Sequence, residues 1–224
     1  MSQSKTVFLT GGARGIGAAI SQELRADGYR IIAPSRDELD LSSGESVQAY
    51  LAALPDMTID VLINNAGVNH PQLIEEISSE NWMQTMQVNL ASALRLIQFF
   101  APEMAARGYG RVLNTSSILG SVTKEGRAAY SMTKAAMDAL TRSAAVEFGP
   151  KGVIVNSLAP GYVDTELTRQ NNSPEAIEAI VTSIPLRRMA RAEELAKIAV
   201  FLVSEKNTYI TGQTIVADGG FTCL

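Results

Sequence analysis

The sequence predicts an α/β fold in which one parallel sheet is covered by helices on both faces. Short β-branched runs alternate with longer helix-period segments along the whole chain. A glycine-rich turn follows the first of these runs. With 224 residues, 46% of them apolar, the chain can bury one continuous core. No internal repeat, low-complexity tract or Pro/Ser-rich linker divides it, so residues 1–224 read as a single domain.

In chain order, strands are expected over Thr6–Thr10, Arg30–Pro34, Ile59–Asn64, Gly110–Thr115, Val153–Ser157 and Thr214–Ala217, where β-branched residues cluster between turn formers. A very short strand near Leu39–Leu41 is an option. Helices are expected to begin after Gly15, Gly44, Ser79, Gly126, Ser173 and Arg191, several with a Ser, Gly or acidic residue where the first backbone N–H groups need partners. The two longest helical runs, Asn81–Arg107 and Ala128–Gly149, carry more small and apolar residues than a solvated helix would, which predicts packing against something. Residues 160–191, with three prolines, paired asparagines and mixed signals, read as a lid.

Composition narrows the function. Nineteen basic against 23 acidic residues give a net charge of −4 with no basic block, so nucleic acid is not an expected partner. The single Cys223 excludes an internal disulfide framework and a cysteine metal cluster, and fits a reducing cytoplasm. Neither a signal-peptide layout nor eighteen uninterrupted apolar residues occurs, so no membrane partner is expected.

After the first strand, Thr10-Gly11-Gly12-Ala13-Arg14-Gly15-Ile16-Gly17 opens the first helix. Glycines allow a tight turn and close approach to a pyrophosphate, and the helix start presents N–H groups and a positive dipole end. By itself such a turn also fits an ordinary strand-to-helix connection. The second strand ends Ala33-Pro34-Ser35-Arg36. An acid there would accept from the adenosine ribose, but Ser35 holds that position; Arg36, with Arg14, instead suits a 2′-phosphate, favouring NADP(H) with NAD(H) as the alternative. Singly, either arginine also reads as an ordinary surface residue.

In Tyr130-Ser131-Met132-Thr133-Lys134, a phenol and an ammonium lie one helical turn apart on one face. A nearby cation favours phenolate, so the pair reads as an acid/base whose pKa Lys134 lowers.

Taken together, these motifs resemble those of the classical short-chain dehydrogenases/reductases, in particular the 3-oxoacyl-carrier-protein reductases, along almost the whole chain. TGGARGIG matches the family's TGxxxGxG, and Asn64-Asn65-Ala66-Gly67 its NNAG. Asn114-Thr115-Ser116-Ser117 matches the serine strand end, with Ser117 thirteen positions before Tyr130. Asn89, Pro160-Gly161 with Thr165, the Tyr209–Gln213 stretch and Asp218-Gly219-Gly220 follow the pattern as well. The resemblance implies a Rossmann domain of about seven strands. It implies Tyr130 as general acid or base, Ser117 on the substrate oxygen, Lys134 on the nicotinamide ribose, and Asn89 holding a proton-relay water. It places Gly11, Arg14, Gly15, Ile16, Gly17, Ser35, Arg36, Asp40, Leu41, Asn65, Ala66, Gly67, Pro160, Gly161, Val163 and Thr165 along the dinucleotide, and Tyr130 and Lys134 at its nicotinamide end. It also implies a homotetramer, with a dimer as runner-up, acting on a small carbonyl or alcohol.

One departure stands out. Three residues separate Arg36 from Asp40 where the family fits a helix, and Ser42 and Ser43 are further phosphate candidates. Two rival functions are an NAD-dependent alcohol or sugar dehydrogenase, isomerase or dehydratase on the same fold, and a non-catalytic dinucleotide sensor. His70 reads as a rim residue without a second ligand, so no metal site is expected. Trp82 reads as a core or interface anchor, and Met83, Met86 and Leu90 as a packing stripe. Substrate selection is expected from Ile118, Leu119, Tyr162 and residues 166–186.

Overall fold

Successive strand side chains point to opposite faces of a sheet, and this alternation builds two cores. A computed structural model describes residues 4–223. Its elements run β1 (Thr6–Leu9), α1 (Gly15–Ala26), β2 (Arg30–Ile32), α2 (Gly44–Ala53), β3 (Val61–Asn64), α3 (Ser79–Met86), a π-helical turn (Gln87–Ala91), α4 (Ser92–Ala106), β4 (Gly110–Thr115), α5 (Ala128–Phe148), β5 (Val153–Pro160), α6 (Glu166–Gln170), α7 (Pro174–Ser183), α8 (Ala192–Val203) and β6 (Thr214–Ala217). On one face Phe8, Leu62, Val112 and Val155 meet Val47 and Leu51 of α2 and Leu96, Phe100 and Met104 of α4. On the other, Val7, Leu9, Ile63, Leu113 and Leu158 meet Ile20 and Leu24 of α1 and Leu195, Ala199 and Leu202 of α8.

The fold is the expected doubly wound α/β arrangement. All strand pairs are parallel, in the order β2-β1-β3-β4-β5-β6. The order reverses between β1 and β3, so a crevice opens beyond their carboxyl ends.

Six strands form the sheet among the described residues, against about seven in the family plan. The reason lies in the short connection. A parallel neighbour for β2 needs a crossover of a dozen or more residues, and the chain turns instead over residues 36–38 and 41–42. Leu39 is therefore a buried plug over Val47 and Leu51 rather than a strand residue.

The long run Asn81–Arg107 is one continuous helical path, broken in hydrogen-bond register by the π turn. The packing stripe is corrected at one position: Met83 is exposed, while Met86 and Leu90 are half-buried. Met83 and its neighbour Trp82 on α3 are both exposed. Leu94 and Phe99 on α4 and Met132 and Val146 on α5 are exposed as well. Cys223 is free and exposed.

Candidate active site

A cleft of about 880 Å³ lies beyond the carboxyl ends of the strands. Every residue that the resemblance places along the dinucleotide or on the substrate oxygen lines it; of the residues so placed in the site only Asn89 lies behind the wall.

The dinucleotide end is shaped by backbone. Gly11 and Gly15 have φ of +66° and +54°, conformations that favour glycine. A Cβ on Gly17 would stand 2.1 Å from the Gly11 carbonyl oxygen, so the turn closes only with glycine there. Asn65 holds the turn by donating from Nδ2 to the carbonyls of Thr10 (3.2 Å) and Gly11 (3.0 Å), while the Thr10 hydroxyl accepts from the N–H groups of Asn65 and Ala66.

Helix starts supply the test of fit to a dinucleotide. The first turns of α2, α3 and α7 are each capped by a serine side chain (Ser43, Ser78, Ser173) and carry a glutamate. α1 has neither a side-chain cap nor an acid in its first turn. Its N–H groups and positive end face the cleft, as a pyrophosphate requires.

At the ribose end, Arg14 pairs with Glu166 (3.1 Å) and Arg36 lies 3.9 Å from Asp40, all of them largely exposed and free to exchange partners. Asp40 accepts from the N–H and hydroxyl of Ser42, which hold its carboxyl below the usual range, with a smaller contribution from Arg36. Of the two further phosphate candidates, Ser42 lines this end, whereas Ser43, whose hydroxyl accepts from the Ser46 N–H at the start of α2, does not line the cleft. Sequence reading missed Glu38, which lines this end, accepts from the Ser35 N–H (2.8 Å) and donates its own N–H to the Ser35 hydroxyl. The Ser-x-x-Glu spacing from Ser35 to Glu38 is the reciprocal cap signal that could have found it.

The chemical end is made by side chains. Ser117 stands in extended backbone just past β4, its hydroxyl accepting from the Leu119 N–H. Tyr130 and Lys134 project from the first and second turns of α5, and the Lys134 Nζ lies 5.4 Å from the Tyr130 ring centre. Lys134 is buried and donates to the Thr115 carbonyl at 2.6 Å. Burial pushes its pKa down to about 8, against the raising influence of Asp138 one turn further on.

The expected depression of the Tyr130 pKa by Lys134 is corrected. Burial pushes the phenol up to about 12, and the opposing influences are a hydrogen bond with Ser117 and the charge of Arg127. Desolvation disfavours phenolate more than these neighbours favour it.

Asn89 sits in the π turn. Its Oδ1 accepts from the Val68 N–H (2.8 Å), and its Nδ2 donates to the Val68 carbonyl (2.9 Å) and the Thr133 hydroxyl (3.2 Å). The amide thus fastens the segment after β3 to α5, and its polar atoms already have protein partners.

Arg127, also unforeseen, lines the cleft just before α5, only 6% exposed. It donates to Asn69 Oδ1 (3.0 Å) and the Asn171 carbonyl (3.5 Å). These acceptors lie 58 and 44 positions away in sequence, and no local pattern announces them. His70 is an exposed rim residue, and no group of metal-ligating side chains occurs among the described residues. No helix among them is long and apolar enough to cross a membrane.

Fold and cleft together define a dinucleotide-binding α/β oxidoreductase. Comparison with known proteins agrees. Residues 36–222 match the family model described as enoyl-(acyl carrier protein) reductase. A 3-oxoacyl-acyl-carrier-protein reductase of Vibrio cholerae is 32% identical over 238 residues, covering 97% of each chain. An acetoacetyl-CoA reductase of Shinella zoogloeoides is 36% identical over 236 residues, covering 97% of this chain and 98% of that protein. Among solved structures, a gluconate 5-dehydrogenase from Burkholderia cenocepacia in complex with NADP and tartrate superposes with a TM-score of 0.92 at 28% identity, covering 98% of this chain and 96% of that one. A 4-hydroxyisoleucine dehydrogenase complexed with NADH gives 0.93 at 26%, covering 99% and 100%. The chain belongs to the short-chain dehydrogenase/reductase family, and it is an oxidoreductase acting on alcohol and ketone groups with a nicotinamide dinucleotide.

Proposed function

We propose that the chain is an NADP(H)-dependent carbonyl reductase whose working direction is ketone to secondary alcohol. The observation that carries this is the convergence of Ser117, Tyr130 and Lys134 on one cleft that also holds the uncapped start of α1, Arg14 and Arg36. A protonated phenol facing the cleft beside Ser117 is placed to give its proton to a carbonyl oxygen.

In this reading the glycine turn and the open start of α1 hold the pyrophosphate. Asn65, Ala66, Gly67, Pro160, Gly161, Val163 and Thr165 line the dinucleotide, and Lys134 binds the nicotinamide ribose. The bound cofactor supplies a hydride to the carbonyl carbon. Ser117 donates a hydrogen bond to the carbonyl oxygen as charge grows on it, and Tyr130 delivers its proton to that oxygen. Since the Asn89 side chain is occupied, a relay water would be held by the main chain of the π turn.

Arg14 and Arg36 favour the 2′-phosphate, and Glu38 is the carboxylate such a phosphate must tolerate. The named relatives reduce 3-oxoacyl and acetoacetyl thioesters or act on gluconate and 4-hydroxyisoleucine. Their shared element is a ketone or secondary alcohol, and a 3-oxoacyl thioester is one candidate. The exposed apolar residues of α4 and α5 support a homotetramer built through those helices. The test is turnover of a panel of ketones and thioesters with NADPH and with NADH. Ketone-dependent oxidation of NADPH is expected; nucleotide binding with no turnover of any member would favour the sensor.

A further inference from the structure

The rim of the chemical end carries positive charge that no carboxylate among the described residues pairs. The carboxylates lining the cleft are Glu38, Asp40 and Glu166, and each is engaged away from the chemistry, with Ser35, Ser42 and Arg14. Arg127, whose charge acts on Tyr130, and Lys124, whose neighbours are Arg127 and Tyr162, line the cleft instead. Neither has a carboxylate within ion-pair distance among the described residues, whereas Arg14, Arg36, Arg107, Arg169, Arg188 and Arg191 all do.

For a nearly buried guanidinium this is costly. Arg127 has five N–H donors and a full charge, and it meets only two neutral oxygens. Arg111, the other buried arginine lacking an ion pair, stacks on the Tyr109 ring at the opposite end of the sheet; Arg127 has no such ring. Lys124, at the rim, reaches the Asn172 side-chain oxygen at 3.4 Å and lies 5.4 Å from the Tyr162 ring centre. Partial loss of water around its ammonium, and then the proximity of Arg127, lower the Lys124 pKa, as expected of two cations sharing one corner. α5 begins immediately after Arg127 with no side-chain cap and no acid in its first turn, adding dipole of the same sign.

Resting on the reductase reading above, we propose that Arg127 and Lys124 form an anion subsite for the substrate, which is therefore an oxo acid, its carboxylate held by these two cations while its ketone meets Ser117 and Tyr130. Asn69, Asn171 and Asn172 hold the cations in place from the two sides of the cleft. Burying the carboxylate against the guanidinium supplies the counter-charge that the protein lacks, and a bidentate fit would fix the distance from carboxylate to ketone. The relatives' thioesters present no charge at the equivalent carbon, so the subsite separates this chain from a plain acyl-thioester reductase.

Matched pairs test this: short oxo acids of two chain lengths, their methyl esters, and the neutral N-acetylcysteamine thioester of a 3-oxo acid, each with NADPH. The wild-type protein is expected to favour the acid over its ester by at least about ten-fold in kcat/KM, the scale of one hydrogen-bonded charge. Arg127→Gln and Lys124→Gln should each shrink that acid-to-ester ratio, and Arg127→Lys should restore part of it. Lys124, exposed at the rim, keeps the test sound if Arg127→Gln misfolds. Equal or better turnover of esters and thioester by the wild type, or ratios unchanged in both variants, would overturn the subsite and leave the reductase standing. No turnover of any member with either cofactor would overturn both.

Discussion

The two ends of the cleft recognise their ligands by different means. At the dinucleotide end the protein offers backbone: positive-φ glycines, a helix start left without cap or acid, and one asparagine that braces the turn. At the chemical end it offers side chains taken out of water: Lys134 at about 8, Tyr130 at about 12, and a buried Arg127 with neutral partners. The first works by shape and tolerates exposure to solvent, because peptide dipoles need no protonation state. The second works by desolvation, which sets proton affinities and makes unpaired charge expensive.

Perturbing the two ends should therefore give different signatures. The largest effect belongs to the chemical end. Tyr130→Phe should cut ketone reduction by about 10²–10⁴-fold, the usual weight of a general acid, with nucleotide affinity retained; dissociation constants beside kcat separate the two. At the dinucleotide end, Gly17→Ala drives a Cβ into the Gly11 carbonyl. It should lower stability by about 1–3 kcal/mol, as overpacking does, and abolish nucleotide binding, both readable by thermal unfolding with and without NADPH.

A smaller effect is a matter of pH. Lys134 loses its proton as pH rises through about 8, so kcat/KM for reduction should fall above that point. Asp138 raises the Lys134 value, so Asp138→Asn should move the break to lower pH. A break that stays in place would detach Lys134 from the profile. The smallest effect is expected at the exposed ribose end: Glu38→Gln should shift the NADPH-to-NADH preference toward NADPH by about two- to five-fold, as for surface charges worth under about 1 kcal/mol.

The same contrast explains what was legible in the sequence. Glycine spacing, the strand-to-helix order and the YxxxK turn are local, and they located the crevice and nearly all of its lining. The missing strand was legible in principle, since three residues cannot cross over a sheet. Arg127 was not, because its environment is assembled from Asn69 and Asn171, distant in sequence. Nor was the Tyr130 pKa, which spacing to Lys134 suggested would fall and which burial raises. A charge that sits one turn away acts only as strongly as the surrounding medium allows, and that medium is a property of the fold. Met83 shows the same limit: helical spacing describes a stripe, and only the neighbouring layer decides how much of it is covered.

The most direct test of the account follows the hydride itself. With NADPH deuterated at the transferring nicotinamide carbon and a ketone substrate, the account predicts deuterium at the new carbinol carbon in the wild-type product, and almost none formed by Tyr130→Phe at equal nucleotide occupancy. Undiminished deuterated alcohol from the phenylalanine variant would contradict the assignment of Tyr130 as the proton donor.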